Sequence, residues 1–297
     1  MTTVAITGAS GLIGSALRRS LEADGHRVRA MVRRAPQGDE IGWSPAEGTL
    51  DAAALEGVDA VVHLAGESVA SGRWSEARKE RIRSSRVQGT DLLARALAGC
   101  TNPPRVLVSA SAIGFYGSRG DETLVESAGP GEGFLAEVCA AWESAADPAR
   151  DAGLRVVHPR IGIVLAKDGG ALSKMLTPFR MGVGGVVGSG TQFMSWIHLD
   201  DVVGMLRFVI EHEVDGPFNA VGPAPVTNAE FTRALGRALK RPTFLPLPRF
   251  AARMALGEMA DGLLLASARV LPEKIAAEGF RFRFETLANA LDDVLGG

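Results

Sequence analysis

The residues best suited to chemistry stand near the start of this 297-residue chain. In Thr7-Gly8-Ala9-Ser10-Gly11-Leu12-Ile13-Gly14, glycines recur every third position, just after the apolar run Val4–Thr7 and at the head of a helical pattern. A tight turn, a close backbone approach to pyrophosphate and close packing of helix on strand each require a missing side chain. The N–H groups at the helix start then face the phosphates. The spacing predicts dinucleotide binding through Gly8, Ser10, Gly11, Leu12, Ile13 and Gly14. The ordinary alternative is a glycine turn that only packs the helix on the sheet.

A second run, Arg27–Val32, ends at Arg33-Arg34, with no carboxylate before Asp39. NAD sites usually carry an acidic residue here for the ribose 2′-hydroxyl. Guanidinium forks suit a phosphate dianion instead, so the sequence favours NADP(H) over NAD(H). Two solvated surface arginines are the alternative. His63-Leu64-Ala65-Gly66 closes the next run, where small residues let a cofactor lie against the sheet edge; His63, at a buried strand end, is read as structural. No His/Cys cluster has metal-ligand spacing. Cys100 and Cys139 form no CxxC pair and fit inert thiols in a reducing cytoplasm.

These residues must be held by a sheet. Val4–Thr7, Arg27–Val32, Asp59–Leu64, Arg105–Ser109 and Arg155–Pro159 read as short buried strands. Helical patterns lie between them, as in Leu12, Ile13, Ala16, Leu17 and Leu21, and again in Leu92, Leu93, Ala96 and Leu97. The alternation predicts an α/β fold, a Rossmann-type doubly wound parallel sheet with a smaller, mostly helical C-terminal lobe. We expect a core over 1–165, and over 166–297 substrate-side segments and the lobe, interleaved with the core sheet. Gly182, Gly184, Gly185, Gly188 and Gly190 predict a loop, and it lacks the Gly-Lys-Ser/Thr ending of a P-loop. With 32 basic and 34 acidic residues the net charge is −2, which predicts no general field for nucleic acid or an anionic membrane. No apolar run is long enough to cross a bilayer. The first one ends at Thr7, so no secretory leader is expected.

The chain resembles an extended short-chain dehydrogenase/reductase. The resemblance rests on the N-terminal glycine motif, Ser109-Ala110-Ser111, Phe115-Tyr116-Gly117 and Trp196-Ile197-His198-Leu199-Asp200-Asp201-Val202. It is closer still to an atypical branch, the epimerase-family proteins, which are NAD-dependent epimerase/dehydratase-like and end in a domain of unknown function. Ala65-Gly66-Glu67, Arg73-Trp74, Ser85-Arg86, Phe134-Leu135-Ala136 with Trp142-Glu143, and Gly188-Ser189-Gly190 are similar to that branch. So are Leu256-Gly257-Glu258-Met259 and Gly279-Phe280, and the resemblance covers nearly the whole chain. It implies an NADP-binding fold in which Arg33, Leu64, Ala65, Gly66, Glu67, Arg86 and Ser109 join the glycine loop as cofactor contacts.

The chemistry departs from the wider superfamily, whose active members use Tyr-x-x-x-Lys. There the lysine lowers the pKa of a phenol otherwise near 10. The corresponding region here reads Gly133-Phe134-Leu135-Ala136-Glu137-Val138, Tyr116 is the only tyrosine, and no lysine lies between Lys79 and Lys167. Ala112 stands where relatives often carry an assisting serine or threonine. Ser111 and Tyr116 are the remaining weak catalytic candidates, with Ser109 close by and Glu67 and Glu126 as further proton carriers. Arg180, Gln192 and Trp196 are candidates for lining a substrate pocket, against a loop anchored by its own hydrogen bonds. Asp200 reads as a helix N-cap steadied by His198.

Two functional expectations follow. One is an NADP(H)-dependent oxidoreductase or epimerase acting on an unidentified small polar molecule, with a nucleotide-sugar as one such class. The other is a catalytically inactive module that senses NADP(H) or binds a partner. A structural or cell-division-associated protein is a weaker third. The helices around Ser75–Leu97 and Gly133–Ala152 resemble those through which extended members pair as homodimers.

Overall fold

The computed structural model describes residues 1–296, so Gly297, the last residue of the second expected segment, lies outside them. The main sheet has nine strands; Ser111–Ala112 pairs with Arg155–Ile161, and the other eight lie in the spatial order Gly216–Ala220, Arg155–Ile161, Val106–Ser109, Ala60–His63, Thr3–Thr7, Arg27–Val32, Ile41–Ser44, Thr49–Leu50. Every neighbouring pair is parallel except the last, which is antiparallel. The chain is a Rossmann-type α/β fold.

Strand alternation explains why these runs read as continuously apolar. Val4, Ile6, Val62, Val106 and Val108 point to one face, under the Leu12–Ala23 and Leu199–Glu211 helices. Ala5, Val61 and Leu107 point to the other, where Leu93, Ala94 and Leu97 of the Glu76–Ala98 helix cover them. Covered on both sides, the middle strands need apolar residues on both faces.

The order runs outward both ways from Thr3–Thr7, so the topological switch lies between that strand and Ala60–His63. Thr7 sits opposite His63 there, and the Gly8 and Leu64 turns leave side by side at the carboxyl ends where such folds bind ligands.

Three strands of that order, Ile41–Ser44, Gly216–Ala220 and Thr49–Leu50, were not among the five expected. The second gives the sheet an edge drawn from beyond residue 165. A further core of Leu172, Leu176, Phe231, Leu235, Leu287 and Leu291 joins the C-terminal helices Asn228–Ala238 and Leu287–Gly296 to the Gly170–Arg180 helix. Asp200 is not the N-cap of its helix. His198 is, accepting the Asp200 N–H through Nδ1 at 3.1 Å, while the Asp200 carboxylate pairs with Arg283 at 2.7 Å. Among the described residues no helix is long and apolar enough to cross a membrane, and no cluster of His, Cys, Asp and Glu could hold a metal.

Candidate functional site: the switch-point cleft

Thr7 ends the first strand and organises the switch point. Its Oγ1 accepts the N–H of Leu64 at 3.0 Å and of Ala65 at 3.2 Å, and lies 2.7 Å from His63 Nδ1. With two donors already on the hydroxyl oxygen, its own proton goes to Nδ1, which leaves the imidazole proton on Nε2. That buried Nε2 has no hydrogen-bond partner. The ring stands edge-on to Trp43, centroids 5.6 Å apart.

Burial first, and the Arg86 charge second, push the His63 pKa down to about 4. A stability consequence follows. The unfolded histidine takes up a proton below about pH 6.5, whereas folded His63 stays neutral until about 4. Its contribution is therefore full above pH 6.5 and is lost as the pH falls towards 4, about 3 kcal/mol in all. Urea unfolding at pH 7.5 and pH 5 is expected to show this loss, with a shallower dependence in His63→Gln. An equal slope in the two proteins would remove His63 from the account.

The glycine turn is closed by contacts only glycine permits. Gly8 lies at φ +66°, and a Cβ there would stand 3.0 Å from the Ala65 nitrogen. A Cβ on Gly14 would stand 2.2 Å from the Gly8 carbonyl oxygen. That same oxygen accepts the Gly11 N–H at 2.9 Å. No side chain caps the helix that begins at Leu12, and its first turn carries no acidic residue. The N–H groups of Leu12, Ile13 and Gly14 are thus left for an anion. Ser10 and Gly11 are exposed at the rim, and Leu12 packs against Gly170.

The two arginines after the second strand differ. Arg34 holds Glu40 with both Nη atoms, at 2.7 and 2.6 Å. Arg27 grips Asp39 through Nε and Nη2, each at 2.6 Å. Both nearby carboxylates are thereby occupied. Arg33 is exposed and, among the described residues, has neither a hydrogen-bond nor an ion-pair partner.

On the other wall, Glu67 N–H donates to Ser85 Oγ at 3.1 Å, and the Glu67 carboxylate pairs with Arg78 at 3.0 Å. Arg86 Nη1 donates to the carbonyls of Glu67 and Ile82, both at 3.0 Å. Its guanidinium lies 4.9 Å from the Trp142 ring, close beneath Gly66. Among the described residues no carboxylate comes within ion-pair distance of Arg86. Ser109 is level with His63 on the next strand, and its buried Oγ has no partner. The structure thus gathers Leu64, Ala65, Gly66, Glu67, Arg86 and Ser109 around the glycine turn, with Arg33 at the end of the neighbouring strand.

The acid/base candidates sit in a closed network. Ser111 Oγ donates to Glu143 at 2.7 Å, and Arg160 clasps that carboxylate through Nε and Nη2, each at 2.9 Å. Arg160 Nη1 donates to the Tyr116 hydroxyl at 2.9 Å, which donates to Asn219 Oδ1 at 2.7 Å. Glu126 accepts the Asn219 N–H. Arg160 also stacks 3.5 Å from the Phe115 centroid. Tyr116 has no exposure, and burial raises its pKa. Both hydroxyl protons are committed inside the protein. Where the resemblance places the usual tyrosine, Phe134 meets Trp74 edge-on, with Lys79 Nζ 5.6 Å from its centroid, and Val138 is buried.

The substrate-side candidates do not come together. Gln192 Nε2 donates to the Val187 and Leu264 carbonyls at 2.9 and 3.1 Å, clamping the glycine-rich loop. Trp196 is fully buried, its Nε1 donating to the Ala224 carbonyl. Only Arg180, on the last turn of its helix, is exposed.

A family model for the NAD dependent epimerase/dehydratase family matches residues 4–221. The chain belongs to that family. A second model, a domain of unknown function, matches residues 247–294. An epimerase family protein of Mycobacterium tuberculosis (strain CDC 1551 / Oshkosh) is 48% identical, over 97% of this chain and 96% of its own. The human epimerase family protein SDR39U1 is 37% identical, over 98% and 99%. The crystal structure of human SDR39U1 (isoform 2) with NADPH superimposes with a TM-score of 0.91 at 35% identity, covering all of both chains. A nucleoside-diphosphate sugar epimerase of Corynebacterium glutamicum gives 0.81 at 38%, with 99% of this chain matched and 58% of that one. MoeE5 in complex with UDP-glucuronic acid and NAD, at 22% identity and a TM-score of 0.78, shares the fold.

In this family member, Thr7 and Arg160 went unremarked in the sequence. Thr7 opens the glycine motif, yet nothing local announces that its hydroxyl ties three backbone and side-chain groups together. Arg160 leaves a signal in retrospect: it is a cation within the strand Arg155–Ile161, whose other central positions are buried and mostly apolar.

Proposed function

We propose that this chain binds NADP(H) at the switch-point cleft as an atypical extended short-chain dehydrogenase/reductase. The observation that carries the reading is the free Arg33 guanidinium beside the glycine turn, with Asp39 and Glu40 already occupied. A Cβ-intolerant cradle at Gly8 and Gly14, uncapped helix N–H groups and the unpartnered Ser109 hydroxyl fit a dinucleotide. The NADPH in the human SDR39U1 structure supports the same choice. When bound, the nicotinamide supplies hydride transfer. Gly11 to Gly14 would hold pyrophosphate, Arg33 the 2′-phosphate, Leu64 to Glu67 the central wall, and Arg86 would fix that wall from behind.

The activity we propose is oxidoreductase or epimerase chemistry on a small polar molecule, with a nucleotide-sugar as the favoured class. A second reading, an NADP(H)-sensing or partner-binding module without turnover, is favoured by one feature. Tyr116 and Ser111 hold their protons inside the Arg160 network, and Phe134 and Val138 occupy the positions of the usual pair.

Calorimetric titration with NADPH, NADP⁺ and NADH tests the cofactor. Arg33→Ala is expected to weaken NADPH about tenfold to a hundredfold and to leave NADH unchanged, as loss of a charge-assisted contact requires. No binding of any of the three would end the proposal. Pairing of two copies through the Glu76–Ala98 and Phe134–Ser144 helices is a further proposal. Their outward positions include Arg81, Arg83, Gln88 and Glu137, so a dimer there would be polar and salt-sensitive, and a monomeric mass at low salt by light scattering would exclude it.

A further inference from the structure

The near-neutral balance of the chain conceals a local concentration of charge. Between Phe231 and Gly257 lie Arg233, Arg237, Lys240, Arg241, Arg249 and Arg253, and no carboxylate. Arg253 is neutralised by Asp261. Arg233, Arg237, Lys240 and Arg241 line one open cleft of about 600 Å³ together with Gly236, Pro242 and Thr243. Among the described residues none of these four has a carboxylate within ion-pair distance. Glu230, one turn before Arg233, turns its carboxylate to Thr227.

The next residue after that cleft begins an apolar surface. Phe244 is 75% exposed, Phe250 67%, Met254 70% and Met181 72%, with Leu245 and Val183 about half exposed. The segments that carry them are joined, since Gly185 bridges to Phe244 and Val187 to Leu247. The Arg249–Leu256 helix has a single buried residue, Ala252. Phe250 and Met254, four apart, share its outward side. Apart from Met1, every exposed large apolar residue among the described residues lies on these two segments, 181–183 and 244–254. Exposed apolar residues grouped in this way mark an interaction site.

We propose that this face docks on an anionic lipid surface. Apolar side chains flanked by unpaired cations match an interface in which acyl chains lie beneath acidic headgroups. A second copy of the chain fits less well, because the stretch from Phe231 to Gly257 offers no carboxylate for these cations to meet in a two-fold pairing. The inference does not depend on the cofactor site.

Flotation with vesicles tests it. The full chain is expected to float with phosphatidylcholine mixed with phosphatidylglycerol, not with phosphatidylcholine alone, and to be released by salt. The double variant Arg237→Ala/Lys240→Ala should bind the mixed vesicles about thirtyfold more weakly, and Phe244→Ser/Phe250→Ser should lose binding. All four positions are exposed, and unchanged urea unfolding would verify folding. Independently, tryptophan emission from Phe250→Trp, less that of the wild type, should shift to the blue on the mixed vesicles. Failure to float with them would overturn the proposal. So would flotation without a Phe250→Trp shift, which would place contact elsewhere, or a stable dimer that Phe250→Ser converts to monomer, which would make the face a protein interface.

Discussion

Glu143→Ala is expected to destabilise the folded chain by about 3–5 kcal/mol, the cost of leaving a buried charge unpaired. Arg160 is only 4% exposed, and both of its contacts to Glu143 would vanish together. What remains is two neutral acceptors, the Tyr116 hydroxyl and the more distant Glu126 carbonyl, and the Phe115 ring, and none balances a full positive charge. Tyr116→Phe should cost less, about 1–3 kcal/mol, because it strands the Asn219 carbonyl and one Arg160 N–H but no ion. Replacing the ion pair with Glu143→Leu and Arg160→Met should recover much of the loss, since two apolar groups leave no orphaned charge. Urea unfolding of the four proteins measures the series. A Glu143→Ala loss below about 1 kcal/mol, the range of exposed pairs, would show that water reaches this network. It would also reopen Tyr116 and Ser111 as groups able to exchange protons with a substrate.

That series marks the boundary of what the sequence discloses. The five strands read from it all exist, because each carries an apolar run buried on both faces of the sheet. Two of those it missed lack that pattern for visible reasons. Gly216-Pro217-Phe218-Asn219-Ala220 opens like a turn, yet it is an edge strand, where a proline without an N–H is tolerated. Ile41-Gly42-Trp43-Ser44 buries only Ile41 and Trp43 and is too short for its alternation to stand out. The glycine turn was legible because its constraints are local. The separate fates of Arg33 and Arg34 were not, because they depend on which carboxylates fold back upon the strand end. Ser111, Tyr116, Gln192 and Trp196 attract notice as polar or aromatic groups in the expected cleft. Whether a hydroxyl faces a cleft or an internal carboxylate is settled by tertiary packing, which spacing does not report. The unpaired cations beside Phe244 were hidden for another reason: a whole-chain sum averages a patch away.

Gly14→Ala is expected to reduce NADPH affinity at least about a hundredfold, equivalent to two lost N–H to phosphate hydrogen bonds. The added methyl would sit 2.2 Å from the Gly8 carbonyl oxygen and 2.9 Å from Ala9 Cα. Both are main-chain atoms, so the loop itself must move rather than a flexible side chain. Gly8 has little freedom to follow, being at φ +66° and close against the Leu64 and Ala65 backbone. Displacing it breaks the Gly11 N–H to Gly8 carbonyl bond and turns the helix N–H groups away from their common target. The accompanying overpacking costs about 1–3 kcal/mol of stability. Gly11→Ala provides the contrast: its methyl would stand 3.2 Å from the same oxygen, at an ordinary φ of −75°. It should fold with little loss and weaken binding less, chiefly by crowding the exposed rim. Parallel titrations and unfolding curves separate the two effects. If Gly14→Ala bound NADPH as tightly as the parent, the glycines would serve only to pack helix on sheet, and the phosphates would have to be held elsewhere.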